Sequence, residues 1–85
     1  MIEVRLNGGP VVAFDGRVLE VFDGGTSTRA HVSLLGTAEV SDGPGGGLVL
    51  ALPSLDLRLV FDRAEARSGE RLAAALADAR AADGR

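Results

Sequence analysis

The stretch LDLRLVFDRAEARSGERLAAALADARAA (residues 55–82) changes its period part-way, and that change decides the fold. From Leu55 to Phe61 the residues alternate, with Leu55, Leu57, Leu59 and Phe61 on one side and Asp56, Arg58 and Val60 on the other. Alternation with period two marks a half-buried strand. Beyond Asp62 the spacing becomes helical. Leu72, Ala75, Leu76, Ala79 and Ala82 fall on one stripe, and Arg63, Arg67, Glu70, Arg71, Asp78 and Arg80 lie mostly outside it. Asp62 and Glu65 have the spacing of a capping box, in which each side chain accepts from the other residue's backbone amide. The stretch therefore reads as a last strand running into an amphipathic helix over residues 63–82. Ser68-Gly69 is its weak point, because glycine costs about 1 kcal/mol against alanine inside a helix. The helix is expected to start properly at Ser68 or bend there, and to stop at Gly84.

Working back from this stretch, period two persists. Ile2, Val4 and Leu6 alternate with Glu3, Arg5 and Asn7 until Gly8-Gly9-Pro10 ends the run. VVAF (11–14) and RVLEVF (17–22) flank Asp15-Gly16, a dipeptide that favours a type I′ hairpin turn with both residues at positive φ. Asp23-Gly24-Gly25 repeats that chemistry before TSTRAHVSL (26–34), where Ala30, Val32 and Leu34 are expected to point inward and Arg29, His31 and Ser33 outward. TAEVS (37–41) reads as a short strand with Ala38 and Val40 inward. DGPGGG (42–47) reads as a mobile hairpin loop, and LVLAL (48–52) as a buried strand. The expected fold is α+β but mainly β: a bent antiparallel sheet or small split barrel of about seven strands over residues 2–61, with one C-terminal helix. Residues 1–85 form one domain in this reading.

Composition narrows the function. With 46% hydrophobic and 25% charged residues the chain is globular rather than disordered. Its net charge of −3 argues against nucleic acid as a partner, since a phosphate backbone demands a basic face. The absence of cysteine removes disulfide and thiolate chemistry and favours a cytoplasmic setting. MIEVRLNGGP lacks the apolar core of a signal peptide, and GPGGGLVLALPSL (43–55) is too short and glycine-rich to span a bilayer. All nine basic residues are arginine, as the coding bias of a GC-rich bacterial genome produces.

The order of elements resembles the pleckstrin-homology-like fold, and in particular its short bacterial, actinobacterial forms of unknown function. VAFDGRVLEV (12–21), HVSLLGTAEV (31–40) and LRLVFDRAEA (57–66) carry the resemblance, the last ending a strand in an aromatic that leads into the capping helix. It spans nearly the whole chain and implies a bent seven-stranded barrel capped by that helix. The chain is shorter than typical members. It also lacks the usual helix tryptophan and a lysine-rich first hairpin, which points away from phosphoinositide binding.

Few residues carry recognisable chemistry. His31 is the only histidine, with Ser27 and Ser33 on its face of the strand, so it could serve as a general base or as one exposed strand position. One histidine, no cysteine and no calcium-loop motif support neither a metal site nor a cofactor. The glycine loop precedes a strand rather than a helix and lacks the lysine of a phosphate loop. Arg5, Arg17, Arg29 and Arg58, with His31 beside Arg17 and Arg29 as candidate binding residues, could converge on an anion or a partner's carboxylates, or the arginines could pair across strands with Glu3, Glu20 and Asp56. The stripe Leu72, Ala75, Leu76 and Ala79 could pack on the sheet or meet a second copy's helix in a homodimer. The expectation is a non-catalytic binding or assembly module. It would act on a protein partner, or on itself, through a strand edge or the helix. An anionic-lipid or small-anion domain in peripheral membrane contact is second, and a small hydrolase third.

Overall fold

The computed structural model describes residues 2–6 and 8–83. The order is β1 (Ile2–Arg5), β2 (Val11–Phe14), β3 (Val18–Asp23), β4 (Thr26–His31), β5 (Glu39–Asp42), β6 (Leu48–Leu52), β7 (Leu57–Phe61) and α1 (Ala66–Asp83). The first four strands form one antiparallel meander and the last three a second. The chain thus has the mainly β, α+β architecture that the period change at Asp62 implies.

Local chemistry sets each boundary. Between β2 and β3, Asp15 Oδ1 accepts from the amides of Arg17 and Val18, both at 2.8 Å. Asp15 pairs with Val18, so the loop is Gly16-Arg17 rather than Asp15-Gly16. Gly16 alone takes positive φ there, at 101°. The expected type I′ turn at Asp15-Gly16 is not formed, because the aspartate side chain closes the turn itself.

At His31 the strand ends early. The Ser33 amide donates to His31 Nδ1 at 3.1 Å, and the chain enters a 3-10 turn over Val32–Leu34. A helical turn breaks the two-residue alternation. Val32 and Leu35 are buried, and Leu34, expected inward, is 66% exposed.

DGPGGG is a closed hairpin turn: the Gly43 amide donates to the Gly47 carbonyl at 3.0 Å. A Cβ at Gly47 would collide with the Phe61 carbonyl oxygen, so only glycine lets these backbones meet there. Another 3-10 turn, Pro53–Leu55, precedes β7 and takes Leu55 out of the strand, leaving it half-buried.

Asp62 and Glu65 do form the capping box. The Asp62 amide donates to Glu65 Oε1 at 3.1 Å, and the Glu65 amide donates to Asp62 Oδ1 at 3.0 Å. The helix begins at Ala66 rather than at residue 63, because residues 63–65 form a turn closed by the box, and it runs through Ser68-Gly69 unbroken. Gly69 is buried against Phe61 and Leu48, which explains the glycine. The expected stop at Gly84 lies outside the described residues.

One core joins both sheets and the helix, including Val12, Leu19, Leu50, Phe61, Leu72 and Leu76, each fully buried. A leucine buried this way contributes about 1.5–3 kcal/mol relative to exposure. The helix crosses one end of the first sheet. Ser68 and Arg71 lie beside Ile2–Val4, Ala75 and Asp78 beside Phe14–Gly16, and Ala79, Ala82 and Asp83 beside Arg17 and His31. Within the second sheet it packs on β6.

Candidate functional site

The structure divides the basic candidates among separate places. Arg29 stands directly opposite Glu20 on β3, with Arg29 Nε 3.5 Å from Glu20 Oε1. Both side chains are solvent-accessible, so the pair is worth under about 1 kcal/mol, but it turns this guanidinium toward its own sheet. Arg58 lies in the other sheet, in a slot with an apolar side of Val21, Leu57 and Leu59 and a polar side of Asp23, Thr26 and Thr28. Arg17 and His31 come together, lining an open cleft of about 390 Å³ with Val32, Ala79, Ala82 and Asp83. The wall formed by Asp83 and the carbonyl end of α1 is electronegative, so the cleft has no uniform attraction for an anion.

His31 is committed locally. Its Nδ1 lies 2.9 Å from Ser33 Oγ and accepts the Ser33 amide, which leaves the proton of the neutral ring on Nε2. The lone pair that a general base would use closes the turn after β4. The serine–histidine proximity is that of adjacent turn residues. Among the described residues no group of three metal-ligating side chains converges.

The helix stripe is spent inside the molecule. Leu72 and Leu76 are fully buried in the core, and Ala75 and Ala79 are half-buried against it. Within the chain the stripe therefore packs as the sheet-facing alternative expects, with its leucines under the sheets. Among the described residues no helix is long and apolar enough to cross a membrane.

What sequence reading left unspecified is which strand edge is open. β5 is the strand in which all four residues are exposed, whereas every other strand buries at least one. Val40 stands directly opposite Leu50, which is opposite Leu59, so it points to the core side of the sheet as expected. It is nonetheless 52% exposed.

The backbone register completes the site. Gly43 and Gly47 are a hydrogen-bonded pair. Antiparallel pairs alternate, so Ser41 and Glu39 bond toward β6, and Val40 and Asp42 turn amide and carbonyl to the outer edge. Among the described residues β5 pairs with β6 alone. The edge thus offers two donors, two acceptors, one half-exposed valine and the carboxylates of Glu39 and Asp42.

The other notable electrostatic feature is structural. The amides of Val18 and then Arg17 hold the Asp15 carboxyl below the ordinary carboxylate range.

Comparison with known proteins finds no matching family model, curated protein or solved structure.

Proposed function

We propose that this chain is a non-catalytic binding module of the cytosol that takes an extended segment of a partner protein onto β5 as an added strand. The exposure of β5 carries the reading: among the described residues, backbone groups without a strand partner on one edge lie beside a half-exposed core-side valine. Strand addition satisfies those groups and buries that valine in one step, with main-chain bonds supplying affinity and alternate side chains supplying selectivity. The commitment of His31 to a backbone amide supports a non-catalytic role.

Val40→Pro tests the reading. The Val40 amide faces the outer edge, so proline removes a donor for the added strand and leaves the bonds to β6 intact. On an array of extended peptides that alternate apolar and polar residues, wild type is expected to bind a subset. Val40→Pro is expected to lose that subset while keeping its melting temperature. Binding unchanged by Val40→Pro overturns the reading, as does the absence of binding by wild type.

A further inference from the structure

We infer that the strand added to β5 comes from a basic partner rather than from a second copy of this chain. The inference rests on strand addition at β5. It comes from charge and register together. Glu39 and Asp42 are both exposed, and the remaining strand positions are Val40 and Ser41, so the edge carries acids and no base. Residues directly opposite across an antiparallel pair interact, with opposite charges favourable and like charges unfavourable.

The register then writes the partner's pattern. In an antiparallel addition, the residue facing Asp42 is basic and the next faces Ser41 and is small and polar. The third lies beside Val40 on the core side and is apolar, and the fourth faces Glu39 and is basic. A second copy presenting its own β5 brings the same two acids to the same edge. The carboxylates therefore do two things at once. They select a basic strand, and they keep identical chains from zipping together, the usual hazard of an open edge.

Other features carry less. The cleft at Arg17 and His31 has mixed charge, and nothing in the structure shows what would fill the slot beside Arg58.

Two synthetic peptides test the inference, one alternating lysine with valine and threonine in this pattern, the other with glutamate in place of lysine. Binding is read from the backbone amide resonances of wild type, Val40→Pro and the double variant Glu39→Lys/Asp42→Lys. The lysine peptide is expected to shift the Val40 and Asp42 amides of wild type and to bind about tenfold better than the glutamate peptide. The double variant, altered only at exposed positions, is expected to reverse that preference. Val40→Pro keeps the same net charge and is expected to bind neither, which separates strand addition from general attraction to an acidic protein. Equal binding of the two peptides to wild type at β5 overturns the charge inference and leaves strand addition standing. Binding of neither peptide by wild type or the double variant removes both. A dimer of wild type in sedimentation equilibrium that Val40→Pro abolishes overturns the choice of partner.

Discussion

Replacing Gly69 by alanine is expected to destabilise the protein, the reverse of the usual effect in a helix. On an exposed helical face the change stabilises by about 1 kcal/mol, because alanine has less backbone freedom to lose. At Gly69 the new methyl would sit 2.9 Å from Phe61 Cγ, 3.0 Å from Phe61 Cδ1 and 3.0 Å from Leu48 Cδ2. Phe61 is fully buried, and Cγ is the root of its ring, so it retreats only if β7 moves. Overpacking of this kind costs about 1–3 kcal/mol. A middle value of about 2 kcal/mol against a helical gain of about 1 kcal/mol leaves a net loss of about 1 kcal/mol. For a domain of this size that lowers the melting temperature by about 4–8 °C. Thermal and urea unfolding followed by circular dichroism measure it, and Ala74→Gly on the exposed face is the control, expected to destabilise by about 1 kcal/mol. Truncating Leu48 to alanine should cost less in the Gly69→Ala background than in wild type, because it frees one of the contacts. A rise in melting temperature for Gly69→Ala would refute the close docking of α1 on Phe61 and Leu48.

Leu76→Ala removes a fully buried side chain and is expected to cost about 2–5 kcal/mol in urea unfolding, a large share of a small domain's stability. An unchanged midpoint would place α1 off the core. Asp62→Ala removes one bond of the capping box that closes the turn leading into α1 and is expected to cost about 1 kcal/mol, read from the same transition. Asp15 titrates below its unfolded value, so its contribution to stability is present above the unfolded pKa near 3.8 and fades as pH falls through the lower folded value. The acid limb of melting temperature against pH should therefore be shallower in Asp15→Asn than in wild type. Coincident limbs would contradict the bonds from Val18 and Arg17. Glu20→Gln is expected to change stability by less than about 1 kcal/mol, since the Arg29 pair is accessible to solvent. A larger loss by thermal unfolding would show that this pair organises the sheet.

Local rules sufficed at the C-terminal end but not at Asp15-Gly16, where the aspartate side chain closes a different turn. The change of period at Asp62 gave β7 and α1, and the Asp62–Glu65 spacing gave the cap, because both depend on residues within one turn. Parity after β4 was not legible. It depends on one bond from the Ser33 amide to His31, which converts a continuing strand into a turn and exchanges Leu34 for Leu35 in the core. Gly69 shows the same limit from the other side: its cost to the helix is local, and its benefit is a contact with Phe61 on another element. The candidate site was legible only as a class. An open strand edge follows from any unclosed sheet, but that β5 is the exposed strand depends on how the elements pack. The separation of Arg58 from Arg17 and Arg29 likewise follows from the division into two sheets, which alternation along the chain cannot reveal.

Amide hydrogen exchange along β5 in the free protein tests the open edge most directly. The amides of Glu39 and Ser41 bond toward β6 and are expected to be protected, whereas those of Val40 and Asp42 face the outer edge and should exchange far faster. Protection of Val40 and Asp42 equal to that of Glu39 and Ser41 in the monomer would mean that the edge is already covered, and would contradict strand addition at β5.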